Sequence, residues 1–162
     1  MAQHLLSFSS IKATKILFVG APTSETHYPD YQAETLFHGL RSLFGEHVLD
    51  FPKRSWMYSN AYDTRETVYG KGYTYAFHLQ HFPVDREDIE SRVSSHEFTH
   101  VIFGVMHHGH HWLLDEVARH YAVEEIFFVD GSDGGAQETD EMLYDLCGSV
   151  GLCFRRELVC TD

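Results

Sequence analysis

The sequence predicts a doubly wound α/β domain with a mostly parallel, five-stranded sheet and helices on both faces. Short apolar runs typical of strands alternate along the chain with longer amphipathic segments typical of helices. The strand-like runs are continuously apolar, as expected for strands that are covered on both faces. A length of 162 residues and a hydrophobic fraction of 43% suit one well-packed unit. We expect a single domain over residues 1–162, with its core at about 13–158.

The first 52 residues predict a strand, a helix and a second strand. The run Lys15–Gly20 is apolar and β-prone, and it ends in a turn-rich stretch. Asp30 can cap the helix that follows, and Gly45 can end it. The second strand, 47–51, is closed by Pro52. This β-α-β order implies a parallel pair of strands.

Residues 53–83 form an aromatic-rich insertion that is long for a connection in a compact domain. Two interpretations stay open for it. The insertion is either a flap or hairpin packed on the sheet edge, or an aromatic wall for a sugar or another ring-shaped ligand.

The second half of the chain continues the alternation of helices and strands. Asp85 is predicted to cap a helix that runs to about Ser95. The further elements are a strand at 98–106, a helix at about 112–121, a strand at 125–130, a helix at about 138–149 and a strand from 152. We expect a Rossmann-like or flavodoxin-like domain with the strand order 2-1-3-4-5, which is the flavodoxin-like order. Ligands of such sheets bind beyond the carboxyl ends of the strands, where the strand order reverses.

Composition argues against several classes of partner. Twelve Lys and Arg against 24 Asp and Glu give a formal net charge of −12, so the basic surface needed for nucleic acid is not expected. No apolar run approaches 18 residues, and the start lacks the pattern of a signal peptide, so we expect no membrane partner. The chain has three cysteines without CxxC spacing, which favours reduced thiols and a cytoplasmic location.

The chain is histidine-rich, with 13 histidines, and a cluster of them follows the third strand. These residues are His107, His108, His110 and His111. The cluster is either the polar rim of a ligand crevice, with one histidine in a chemical role, or a metal site, or a solvated group without function. The metal interpretation rests on His107, His110 and His111 and implies a divalent cation.

Two further loops lie where a crevice is expected. The loop after the first strand carries Thr23, Ser24, His27 and Tyr28, without a GxGxxG or Walker A pattern. Asp130 ends the fourth strand, and Asp133 follows in a glycine-rich stretch. Such acids suit hydroxyl recognition or the orientation of a histidine, but a tight turn would need the same residues.

An ordered set of short phrases also resembles one family. These phrases are 30–32, 36–45, 48–53, 69–74, 101–104, 128–133 and 154–158. Together they resemble the N-terminal half of bacterial glycosyltransferase-like proteins of the spore-maturation type. The resemblance implies the first Rossmann-like domain of a two-domain (GT-B) glycosyltransferase, which supplies the acceptor side and often a catalytic base, while a second domain binds most of a nucleotide-sugar donor.

By that resemblance the loops after strands one, three and four face the acceptor. His107, His108 and Asp130 are then candidate catalytic residues, and Thr23, Ser24, His27, Tyr28 and Asp133 are candidate substrate contacts. Because the chain ends at Asp162 without a donor-binding half, three alternatives stay open: a fragment that lacks its C-terminal domain, a half that needs a partner, or a stand-alone descendant that no longer transfers sugars. Glycosyl transfer is expected only if a donor-binding domain is paired with this one. A homo-oligomer is a further expectation. Two other functions stay open: a histidine-rich metal-binding or pH-responsive protein without enzymatic activity, and a structural or assembly scaffold.

Overall fold

Five parallel strands form one sheet in the order β2-β1-β3-β4-β5. A computed structural model describes residues 15–20, 30–61, 65–68, 71–105, 111–130 and 147–155. The strands are β1 (Ile16–Val19), β2 (Val48–Phe51), β3 (His100–Phe103), β4 (Ile126–Asp130) and β5 (Leu152–Arg155). The predicted α/β class and the strand order 2-1-3-4-5 are therefore confirmed.

Helices cover both faces of the sheet. They are α1 (Tyr31–Phe44), α2 (Arg65–Val68), α3 (Ile89–Ser94) and α4 (His111–His120), and residues 147–150 are also helical. Short 3₁₀ turns lie at Gly45–His47, Ser55–Met57 and Val123–Glu125. In the part of the chain that the structure describes, no helix is long and apolar enough to cross a membrane.

The buried side chains of β1 divide the core into two layers. Ile16 and Phe18 pack on one face with α1, whereas Leu17 and Val19 pack on the other face with α3 and α4. All four side chains are at most 1% exposed. A strand that is covered on both faces has no polar side, which explains why its sequence lacks alternation.

Helix α1 begins and ends as its sequence predicts. The Asp30 carboxylate accepts hydrogen bonds from the backbone N–H groups of Gln32 (2.9 Å) and Ala33 (3.0 Å). Gly45 follows the last turn with φ +56°, a backbone conformation that residues other than glycine rarely adopt. Local capping chemistry therefore fixes both ends of this helix.

The prediction that a helix begins at Asp85 is wrong. Helix α3 begins at Ile89, and Asp88 rather than Asp85 takes the N-cap position. Asp85 instead accepts a 2.8 Å hydrogen bond from the Glu87 backbone N–H, which closes a turn before the helix. Arg86 reaches away to Asp50, 36 positions earlier in the chain. Asp88 has a left-handed φ of +49°, which breaks any helical path between residues 86 and 89. The local sequence gives no sign of the Arg86 ion pair.

The described parts of the 53–83 insertion support the packed flap. The Phe77 N–H donates to Trp56 O (2.9 Å), and the Leu79 N–H donates to Met57 O (2.8 Å). Trp56 and Met57 are 5% and 0% exposed, within the core layer of α1. The bridge between residues 58 and 79 is parallel, so these two segments do not form a hairpin.

Candidate functional site

The carboxyl ends of β1, β2 and β3 meet at one edge of the sheet. The Gly20 N–H donates to Phe51 O at the end of β2 (2.9 Å), and the Gly104 N–H donates to Val19 O (2.9 Å). The loops that start at residues 21 and 106 therefore leave the sheet from neighbouring strands. The first leads to α1 on one face and the second to α4 on the other. This divergence is the switch point at which doubly wound sheets bind ligands.

Helix α1 presents its capped N-terminus at this same edge. Glu34, in its first turn, is fully buried and accepts hydrogen bonds from the Thr74 N–H (2.6 Å) and the Thr74 hydroxyl (2.5 Å). Burial raises the pKa of Glu34, while the Thr74 hydrogen bonds and the nearby Arg54 charge oppose that rise. Glu34 thus ties the flap to α1 beside the switch point.

A buried arginine, Arg54, lies against Gly20, the residue that follows β1. Arg54 is 4% exposed, and its guanidinium is 5.6 Å from the ring centre of Phe18 and 5.8 Å from that of Trp56. A Cβ atom added to Gly20 would lie 2.8 Å from Arg54 Nη2 and 3.1 Å from Nε. Only glycine at position 20 lets the guanidinium approach the backbone this closely.

Arg54 forms no direct ion pair with any acid among the described residues. Its interactions with Glu34, Asp30 and Asp50 are Coulombic, and Nε has no hydrogen-bond acceptor among the described residues. Burial lowers the pKa of the guanidinium, although an arginine stays protonated at neutral pH. Buried donors without acceptors are costly, so such a group is a candidate ligand contact.

Asp50, on β2, is occupied by contacts within the fold. Its fully buried carboxylate accepts from the Arg54 backbone N–H (2.7 Å), the Tyr58 hydroxyl (2.7 Å) and Arg86 Nε (3.1 Å), and it forms an ion pair with Arg86 Nη2. The pKa of Tyr58 is raised, first by burial and then by the Asp50 charge. Asp50 and Tyr58 therefore serve structure rather than proton transfer.

Basic residues converge around Tyr58, although the chain as a whole is acidic. The charged ends of Arg41, Lys53 and Arg86 lie 5.5, 5.5 and 5.8 Å from its ring centre. With Arg54, four of the twelve basic residues of the chain surround this position. Opposing them are two buried acids, Asp50 and Glu34. The end of β2 is thus a locally positive region in a protein of net charge −12.

Most residues predicted as site residues lie outside the described part of the chain. These are Thr23, Ser24, His27, Tyr28, His107, His108, His110 and Asp133. Two have a described backbone: Asp130 is the last residue of β4, and His111 is the first residue of α4. Asp130 pairs with Arg155 of β5, which places it two strands from β1 at the same edge. The strands that precede the predicted site loops, β1, β3 and β4, end at the same edge of the sheet. The roles of the predicted site side chains stay predictions.

The sequence prediction missed Arg54 and its partner Gly20. A usable signal was present, because Lys53 and Arg54 are adjacent basic residues directly after Pro52, at the carboxyl end of a predicted strand. Their importance depends on the packing of β2 against β1, which the local sequence does not reveal.

The described residues hold no group of three or more His, Cys, Asp or Glu side chains placed to bind a metal ion. The metal interpretation of His107, His110 and His111 stays a prediction. Comparison of the chain with protein-family models, with curated proteins and with solved structures gives no match in any of the three.

Proposed function

We propose that this chain is a glycosyltransferase-like α/β domain that binds a sugar or a nucleotide-sugar-related ligand at the carboxyl edge of its sheet. The observation that carries the proposal is the switch point between β1 and β3, whose following segments lead to helices on opposite faces. The sequence phrases that resemble the N-terminal half of a two-domain glycosyltransferase support the same edge as the acceptor side.

In this proposal the loops after β1, β3 and β4 supply the chemistry. His107, His108 or Asp130 would deprotonate an acceptor hydroxyl, and Thr23, Ser24, His27, Tyr28 and Asp133 would contact the ligand. The nucleotide-sugar donor would be bound mainly by a second domain or partner, so transfer by this chain alone is not expected. We place the protein in the cytoplasm, where its three cysteines would stay reduced.

Amide NMR of the full chain tests the proposal. Nucleotide-sugars and free glycans are titrated separately, and the strand-end amides of Gly20 and Gly104 report on the proposed edge. The matched control is the amide of Thr99, which donates to Lys15 O at the opposite edge of the sheet. We expect at least one ligand to shift Gly20 and Gly104 and to leave Thr99 unchanged.

Other outcomes distinguish the remaining functions. Shifts confined to the Thr99 edge would contradict the proposed site. Absence of binding by every ligand, with the spectrum of a folded protein, would favour the scaffold. Stoichiometric metal in the purified protein, lost in a His107→Ala/His111→Ala double variant, would favour the metal-binding protein.

A further inference from the structure

Among the described residues, the Arg54 side chain makes no hydrogen bond or ion pair, whereas Arg86 and Arg41 each make at least one, although Nε and Nη2 of Arg41 also lack acceptors there. Arg86 is paired with Asp50, and Arg41 Nη1 donates to the backbone oxygens of Gly45 (3.0 Å) and Val48 (2.7 Å). For Arg54, the hydrogen bond made to Asp50 comes from the backbone N–H, and side-chain Nε has no acceptor among the described residues.

The position of Arg54 suits an anion at the switch point. Its guanidinium lies against the Gly20 backbone, where the loop after β1 leaves the sheet. Two N–H groups of the α1 N-terminus are already bound by the Asp30 carboxylate. Among the described residues, the cation beside Gly20 is the Arg54 guanidinium.

We infer that Arg54, packed against Gly20, is an anion subsite for the phosphoryl group of a sugar phosphate or nucleotide. The inference rests on the proposed function and adds the chemical class of the ligand. A guanidinium binds two phosphate oxygens at once, and its burial strengthens each charged hydrogen bond. A net charge of −12 repels anions at long range, and a local cation such as Arg54 would offset that repulsion where the phosphoryl group binds.

Calorimetric titration of the full chain with three matched sugars tests this subsite. Glucose 1-phosphate carries a phosphoryl group, glucuronate carries a carboxylate, and glucose carries no charge. We expect glucose 1-phosphate to bind at least about tenfold more tightly than either of the others, which is the effect of one charged hydrogen-bond pair. The preference should weaken as salt concentration rises.

Two variants assign the preference to Arg54. Arg54→Met keeps an unbranched side chain that reaches about as far as Nε but removes the charge, and it should remove the preference for the phosphate. Gly20→Ala leaves the charge but places a Cβ atom 2.8 Å from Nη2, so it should displace the guanidinium and weaken phosphate binding as well. The control is Arg119→Met, which removes one positive charge at a 66% exposed position and should leave binding unchanged.

The failures of the two proposals are distinguishable. Equal binding of all three sugars, or unchanged phosphate binding in folded Arg54→Met and Gly20→Ala proteins, overturns the phosphoryl subsite and leaves the ligand crevice standing. Equal binding of glucuronate and glucose 1-phosphate overturns the phosphoryl class. Failure of all three sugars and of the nucleotide-sugars to bind overturns the proposed function and the subsite with it.

Discussion

Replacement of Asp50 by alanine should destabilise the fold more than any surface substitution. The carboxylate is 0% exposed, and it accepts hydrogen bonds from the Arg54 backbone N–H, the Tyr58 hydroxyl and the Arg86 guanidinium. Its removal leaves the half-buried Arg86 guanidinium without its ion-pair partner, and it leaves the Tyr58 hydroxyl and the Arg54 backbone N–H without their acceptor. Breaking a buried pair by removing one partner costs about 3–5 kcal/mol.

This cost is a large part of the stability of a domain, which is typically about 5–15 kcal/mol. For a chain of this size, each 1 kcal/mol lowers Tm by roughly 2–4 °C, so Asp50→Ala should lower Tm by roughly 6–20 °C. Tyr58→Phe removes the hydroxyl that donates to the same carboxylate and accepts a longer hydrogen bond from Arg86 Nη2 (3.2 Å), and it should cost about 1.5–3 kcal/mol. The two variants therefore form a graded series at one site.

Urea unfolding followed by far-UV circular dichroism measures both free energies. The midpoint should fall while the slope of the unfolding free energy against urea stays unchanged. Arg119→Ala, at an exposed ion pair, is the control and should change the free energy of unfolding by at most about 1 kcal/mol. A free energy of unfolding for Asp50→Ala within 1 kcal/mol of the unmodified chain would refute the reasoning, because it would mean that the desolvation of Asp50 offsets its pairing.

Three further predictions concern packing, pH and thiol reactivity. Gly104→Ala would bring a Cβ atom within 2.9 Å of three ring carbons of Phe18 and should lower the free energy of unfolding by about 1–3 kcal/mol. The control, Gly148→Ala, meets nothing within 4 Å and should be neutral or slightly stabilising. Equal urea midpoints for the two variants would contradict this prediction. Burial lowers the pKa of His100 below 6.5, so the unfolded chain binds a proton at this residue more readily than the folded chain does. The contribution of neutral His100 to the free energy of unfolding is therefore complete above pH 6.5 and is lost as the pH falls through the lowered pKa. His100→Gln should therefore flatten the fall of Tm below pH 6.5, and exposed His47→Gln should not; parallel profiles for both would count against the assignment. Burial raises the pKa of Cys147 to about 12, so iodoacetamide at pH 8 should modify it only after urea unfolding, as mass spectrometry of the digested protein would reveal.

Much of the fold follows from local chemistry that the sequence displays. Largely apolar runs locate the strands, since a strand covered on both faces has no solvent-facing side, and Asp50 in β2 is a buried exception. Asp30 and Gly45 mark the ends of α1, because capping involves only residues a few positions apart. The order of strands and helices then leaves few topologies, and the sheet order 2-1-3-4-5 is among them.

The helix predicted from Asp85 illustrates where local reasoning ends. The cap, the acidic first turn and the apolar spacing all favour a helix from that residue, yet the chain becomes helical only at Ile89. Asp88 has a left-handed φ of +49° just before the helix, and Arg86 pairs with the Asp50 carboxylate, a contact 36 positions away that local patterns do not reveal. Helix propensities differ by a few tenths of a kcal/mol per residue, which is small beside the cost of leaving a buried charge unpaired.

The candidate site divides in the same way. The sequence by itself determined the edge of the sheet where a ligand is expected, because the ends of parallel strands and their loops follow from the order of elements. Only the tertiary structure placed the Arg54 guanidinium on the Gly20 backbone, since that contact joins residues 34 positions apart through the pairing of β1 and β2. Local patterns encode which faces are buried, whereas the partner of a buried charge is set by packing between distant segments.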